Sequence, residues 1–256
     1  MCVAGVTGWT GSAVAEAVEA AGDLVLRAGV SRTAAGGERH GARVHASVPE
    51  ALDAAGAVDV LVDYTAHDVV KANVLAAIER GVSVVVGSSG LDAADFEELD
   101  RAARARGVGV VAAGNFSVTA ALAQAAALLA ARHVPHWEIV DYASAAKPDA
   151  PSGTARELAE RLEQVRPPAL GHPVEATAGD RTARGATVGG AQVHSLRLPS
   201  FTVSTEVVFA LPDERLSIRH DAGSSAEPYV AGTLLAVRAV PTIQGLVRGL
   251  DTLLLR

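Results

Sequence analysis

The 256-residue chain contains one cysteine, Cys2. A single thiol excludes an intrachain disulfide framework and any zinc site built on several thiolates, and it fits a reducing compartment. Aromatic residues make up only 4% against 49% hydrophobic, so the core has to come from Ala, Val and Leu, as it does where parallel strands pack under helices. Excess positive charge is missing as well. A formal net charge of -7 argues against a broad basic surface for nucleic acid or an anionic membrane. No apolar run reaches the roughly 18 residues of a membrane span, and the opening "MCVAGVTGWTG" lacks the basic flank and cleavage pattern of a secretory signal. A cytoplasmic protein is expected, with a small-molecule ligand and neither nucleic acid nor membrane as partner. No histidine spacing suggests a metal site; His40, His45, His133 and His136 read as surface residues.

What the chain does have is alternation. "MCVAG", a glycine turn, "SAVAEAVEAAG" and "DLVLRAGVSR" read as strand, turn, helix and strand, the spacing of a βαβ unit. The pattern continues through "ALDAAGAVDVLVDYT", "AHDVVKANVLAAIERG", "VSVVVGSSG", "LDAADFEELDRAARARG" and "VGVVAAGNFS". The fold class is therefore α/β, with a Rossmann-type doubly wound parallel sheet. Beyond residue 120 the texture changes. "HWEIVDYAS", "AQVHSLRLPS", "FTVSTEVVFAL" and "ERLSIRHDA" are longer or amphipathic strands, expected to form a mixed or antiparallel sheet in a second, α+β domain. A long irregular connection rich in Pro and Gly, "QVRPPALGHPVEATAGDRTARGATVGG", lies inside it. The expected division is 1–120, completed by C-terminal helices 228–256, and 121–227.

"GVTGWTG" sets Gly5, Gly8 and Gly11 between a strand and a helix, with Val6, Thr7, Trp9 and Thr10 between them. Glycines there permit a tight turn and let backbone N–H groups approach a pyrophosphate at a helix start. The second strand ends in "GVSRT", with no acid to bind a ribose hydroxyl. Arg32 is the residue type that holds the 2′-phosphate of NADP, which favours NADPH over NADH; the bland alternative is a solvated surface arginine. Thr65, Gly87, Ser88 and Ser89, and Ala113, Gly114, Asn115 and Phe116 follow other strands of the same sheet. Ligands of open α/β sheets lie beyond such strand ends, although each turn alone also reads as ordinary connection. Asp63 and Tyr64 close a buried strand and are given no acid role.

In "KPDAPSGTARELAERL" a helix is expected from about Thr154, with Ser152 and Gly153 as its lead-in. Unfilled N–H groups at a helix start, hydroxyls and the charge of Lys147 together suit a carboxylate or phosphate; plain N-capping by Ser152 or Thr154 is the competing explanation.

"KPDAPSGTA" resembles the signature of the dihydrodipicolinate reductase family, His-His-x-x-Lys-x-Asp-Ala-Pro-Ser-Gly-Thr-Ala. "GVTGWTG", "VDYT", "GSSG", "GNFSV", "HSLRLP", "EVVFA", "LSIRHD" and "GTLLAVRAVPTIQGLVRGLDTLL" are similar to that family in the same order, across essentially the whole chain. The resemblance implies NAD(P)H as cofactor, bound by residues from Gly5 to Gly11, 87–89 and 113–116, and a substrate carboxylate held by Lys147, Gly153 and Thr154. It implies a nucleotide domain closing over a sheet domain, a homotetramer joined through those sheets, and hydride delivery to a conjugated cyclic imine in lysine biosynthesis.

The pattern breaks in two places. The family's paired histidines fall on Ala143 and Ser144, and the arginine between its second and third glycines is replaced by Trp9 and Thr10. Alanine cannot donate a proton, and a serine hydroxyl is far too weak an acid; Ser144 is left as a substrate contact and Lys147 as the one catalytic cation. Three readings stay open: the family reaction with the proton coming from water, Tyr142, His194 or His220; a divergent reductase of another imine, enamine or unsaturated carboxylate; or a dinucleotide-binding protein without turnover.

Overall fold

The structure, a computed structural model, describes residues 1–255. Two compact units are present, Met1–Val118 with the chain from Ala226 onward, and Thr119–Ser225. The first begins with β1 (Cys2–Ala4), α1 (Trp9–Ala20), β2 (Ala28–Val30), β3 (Glu38–Arg39) and β4 (Ala42–His45). It continues with α2 (Val48–Ala54), β5 (Val60–Asp63), α3 (Val70–Glu79), β6 (Ser83–Val86), α4 (Ala93–Arg106) and β7 (Gly109–Ala112). α5 (Val118–Ala131) opens the second unit, followed by β8 (His136–Ser144), α6 (Gly153–Val165), β9 (Ala186–Val188), β10 (Ala191–Leu198), β11 (Val203–Leu211) and β12 (Glu214–Asp221). α7 (Glu227–Ala239), β13 (Gly245–Arg248) and α8 (Asp251–Leu254) belong to the first.

The first unit is an eight-stranded sheet in the order β13-β7-β6-β5-β1-β2-β4-β3, parallel except for the β3–β4 hairpin. Every residue of β5, β6 and β7 is buried, because helices cover both faces, and apart from Asp63 and Ser83 at their ends the strands read as apolar runs. Leu61, Val84, Leu99 and Val110 have no exposed surface, and each such side chain stabilises the fold by about 1.5–3 kcal/mol. α4 is bounded by its own chemistry: Asp92 and Asp95 form a capping box at its start, and Gly107 ends it in a left-handed turn at φ 70°.

Three expectations are corrected here. The strand expected over "DLVLRAGVSR" is only Ala28–Val30, since its partner β1 is itself three residues long and pairs Cys2 to Ala4 with Ala28 to Val30. Residues 38–45, given no element from the sequence, form the hairpin whose β4 lies beside β2. The tail, read as helical throughout, contains β13, which adds in parallel to β7 between Gly245 and Gly249 at φ 83° and 82°. Its four residues are too few for apolar periodicity to tell strand from helix.

The second unit is a five-stranded sheet, β12-β11-β8-β10-β9, in which β8 and β10 run parallel and the other pairs antiparallel. Burial alternates along β8. Trp137 and Ile139 on one face join Phe209 of β11 and Leu158 and Leu162 of α6 in a core; the opposite face carries the half-buried Val140, Tyr142, Leu196, Glu206 and Val208. β9 and two 3-10 turns, Val174–Ala176 and Arg181–Arg184, interrupt the connection expected to be irregular. Among the described residues no helix is long and apolar enough to cross a membrane, and no group of three or more His, Cys, Asp or Glu is placed to hold a metal.

Candidate functional site

In the first unit the residues singled out from the sequence follow β1, β2, β5, β6 and β7, which are adjacent and parallel, so their carboxyl ends share one edge of the sheet. The turn of Gly5 to Gly11 is drawn tight by the Gly8 N–H donating to Gly5 O at 2.8 Å. Gly5 has φ 83°, and a Cβ on Gly5 or Gly11 would run into the backbone of Tyr64 or of Gly5 itself. α1 starts at Trp9 with no side-chain cap and no acid in its first turn, which leaves the positive helix end for an outside anion. That glycine cradle fits a pyrophosphate. Val6 is buried beneath the turn, while Thr7 and Trp9 point to solvent, Trp9 at 52% exposure with its ring edge-on to Tyr229 at 5.7 Å.

After β2, hydroxyls line up: Thr7 Oγ1 to Ser31 Oγ at 2.8 Å, and Ser31 Oγ to Thr33 Oγ1 at 3.3 Å, with Arg32 exposed beside them. After β5, Asp63 is fully buried and accepts from Thr65 N at 3.0 Å, Thr65 Oγ1 at 2.7 Å, Asn73 Nδ2 at 2.8 Å and Ser88 Oγ at 2.6 Å. One carboxylate thus ties the Thr65 turn to the Gly87–Ser89 turn, and Ser88 also accepts from Thr65 N at 2.7 Å. Tyr64 donates to or accepts from Thr233 Oγ1 at 2.7 Å and meets Phe116 edge-on at 6.2 Å. Burial raises its phenol pKa, so it stays protonated. Asn115 Oδ1 accepts from Ser117 N at 2.8 Å and shapes the turn of Ala113 to Phe116; Ser89 and Gly114 are exposed.

In the second unit α6 begins at Gly153, and Ser152 Oγ accepts from Ala155 N at 3.3 Å. Ser152 is buried and acts as the helix cap; Gly153 and Thr154 are the half-buried residues of the first turn, which contains no acid. The lead-in is anchored from below. Asp141, with no exposed surface, accepts from Ser152 N at 2.9 Å, Ser195 Oγ at 3.0 Å and Arg197 at 2.9 Å, and Arg197 also donates to Asp149 O at 2.6 Å. Lys147 forms an ion pair with Asp149 at 2.9 Å, both side chains part-exposed. Ser144 Oγ accepts from Ala146 N at 3.3 Å, and Ala143 is fully buried. Sequence reasoning missed Asp141, Arg197, Asn73 and the structural use of Asp63. A polar residue interrupting a buried strand was the available signal for the two aspartates.

The family models for the dihydrodipicolinate reductase N-terminus and C-terminus match residues 1–116 and 114–254. The chain belongs to the dihydrodipicolinate reductase family. A 4-hydroxy-tetrahydrodipicolinate reductase of Moorella thermoacetica is 41% identical over 197 residues, 77% of this chain and 73% of that relative. The enzyme of that name from Thermosynechococcus vestitus is 37% identical over 264 residues, 98% of this chain and 95% of the relative. Among solved structures, a dipicolinate-bound dihydrodipicolinate reductase from Paenisporosarcina sp. TG-14 superposes with a TM-score of 0.77 at 25% identity, covering 98% of this chain and 97% of that one. The dihydrodipicolinate reductase resemblance read from the signature is thereby established, as is the α/β class with a parallel Rossmann-like sheet and a second mixed sheet. Membership of this reductase family makes the protein an NAD(P)H-dependent oxidoreductase.

Proposed function

We propose that the protein reduces a carboxylate-bearing cyclic imine or conjugated C=N/C=C compound, a reading supported by its similarity to relatives named 4-hydroxy-tetrahydrodipicolinate reductase. The observation that carries this reading is the start of α6, presented with Lys147 and anchored by buried Asp141 with its part-buried partner Arg197. Lys147, Gly153 and Thr154 hold the carboxylate, Ser152 shapes their turn, and Ser144 borders it. The nicotinamide cofactor supplies hydride; residues from Gly5 to Gly11 receive its pyrophosphate, and Thr65, 87–89 and 113–116 lie beyond the neighbouring strand ends. Arg32 with the Thr7–Ser31–Thr33 hydroxyls favours NADPH, because these groups complement a phosphate and no acid opposes it. The units serve as nucleotide and substrate domains of a cytoplasmic homotetramer. The half-buried sheet face around Val140, Leu196 and Val208 is of the kind that pairs between subunits.

A second reading is favoured by Ala143: with no acid at that position, the substrate differs from that of the relatives and brings or recruits its own proton. Turnover of freshly generated 4-hydroxy-tetrahydrodipicolinate, followed by loss of reduced nicotinamide, decides between them. Brisk reduction supports the first reading; tight NADPH binding without reduction supports the second; no affinity for either nucleotide overturns both. In binding titrations Lys147→Ala is expected to weaken dipicolinate binding about 10- to 100-fold and leave NADPH affinity unchanged.

A further inference from the structure

Reduction of a C=N or C=C bond needs one hydride and one proton, and Ala143 cannot give the proton. One histidine stands on the helix-covered face of the second sheet. The register Ser195–Asp141–Thr205–His220 runs straight across β10, β8, β11 and β12, and residues directly opposite one another point to the same face. Ala143 lies two residues beyond Asp141 on that face. Two strand spacings and one two-residue step put its Cα about 12 Å from that of His220. His136 and His194 alternate to the other face, where His194 pairs with Glu138 at 2.8 Å.

Between α5, α6 and the sheet is a cavity of about 30 Å³. His220, Thr205, Gln124 and Thr154 are its polar lining residues. Thr205 is 7% exposed, and its buried Oγ1 has no hydrogen-bond partner in the protein. The volume suits about one water, and Thr154 of the α6 start shares its lining with His220. His220 Nε2 meets Thr119 Oγ1 at 3.1 Å, which holds the ring at the cavity wall. Burial lowers the imidazole pKa, with Asp221 opposing. Arg219, also on β12, pairs with Asp221 at 2.8 Å. Of the elements packed around the ring, α5 carries no ionisable residue and β11 only Glu206, on the opposite face. α6 contributes Glu157, which accepts from Gln124 and pairs with Arg161.

We propose that His220 is the proton donor of this active site, reaching the substrate directly or through one water from the cavity it shares with Thr154. The proposal rests on the reading that Lys147 and the start of α6 hold the substrate carboxylate. A bound nicotinamide would supply one atom of the double bond with a hydride and its electron pair. The proton leaves the His220 imidazolium for the other atom, forming the second N–H or C–H bond, and the neutral imidazole is recharged from solvent.

The test uses the full chain and dipicolinate as probe. Calorimetry at pH 7 in two buffers of different ionisation heat reads proton uptake on binding: a dicarboxylate beside a neutral imidazole favours its charged form. Wild type is expected to take up a proton, and His220→Gln to bind dipicolinate without doing so. Turnover of the 4-hydroxy-tetrahydrodipicolinate substrate should fall about 100- to 10,000-fold in that variant, with added imidazole restoring part of it in His220→Gly. Should these variants not fold, the ring resonances of the eight histidines of wild type give the answer, since one should shift as dipicolinate saturates. Lys147-dependent binding with no histidine shift, or uptake unchanged in His220→Gln, overturns the proposal alone. Absence of dipicolinate binding overturns the substrate reading, and the proposal with it.

Discussion

Asp63 at the end of β5 and Asp141 near the end of β8 do the same job in different ways. Both carboxylates are fully buried, and both tie down the loop that presents a candidate ligand site. Asp63 is met by uncharged donors alone, from Thr65, Asn73 and Ser88. Asp141 is met by a guanidinium as well as by Ser152 N and Ser195. A carboxylate saturated by neutral donors tolerates burial through its hydrogen bonds; one sharing its charge with Arg197 relies on the pair remaining intact.

The contrast sets an order of expected losses. Asp141→Ala leaves the Arg197 charge unpaired, and about 3–5 kcal/mol of stability should go, read as a shifted urea midpoint with NADPH affinity retained. Asp63→Asn places an amide donor among donors and should cost about 1–3 kcal/mol, with weaker NADPH binding as its accompanying sign. If it proves as damaging as Asp141→Ala, the distinction between the two aspartates is gone. Arg32→Ala touches no buried group; NADPH affinity should drop about tenfold in a fluorescence titration, NADH affinity staying put. An equal loss for both nucleotides removes Arg32 from the phosphate.

The smallest effect concerns a third, part-exposed carboxylate. Asp100 bonds Arg104 at 2.8 Å and Leu246 N at 2.7 Å, fixing β13. The Arg104 guanidinium and then the Leu246 N–H hold its pKa below the ordinary 3.8. Its stabilisation is thus complete above that value and lost as pH falls through the lower folded one. Wild type should exceed Asp100→Asn in stability by under about 1 kcal/mol at neutral pH, the gap closing on acidification below about pH 4. A gap that survives there assigns the effect to something other than the charge.

The glycine turn and the Ser152 cap were legible in sequence because each is local chemistry: a cap bonds three residues ahead, and a Cβ-free turn is spelled by its glycines. The α/β alternation was legible for the same reason, period and run length. The Asp141–Arg197 pair was not. Its members are 56 residues apart and meet only because β10 lies parallel to β8, a pairing that hydrophobic alternation does not encode. β13 escaped because its four residues, Gly245–Arg248, are too few to show either period. The cavity at His220 depends on the register of β8, β11 and β12 together with two helices, a conjunction that no stretch of sequence states.

The contact between Lys147 and Asp149 has a bearing on which molecules the enzyme takes in. Since the ammonium already has a carboxylate neighbour at 2.9 Å, an incoming ligand swaps one anion for another instead of filling a lone charge. Because both side chains reach solvent, opening that pair costs under about 1 kcal/mol, so a carboxylate ligand gains the ammonium at little expense while a neutral imine gains no charged contact from it.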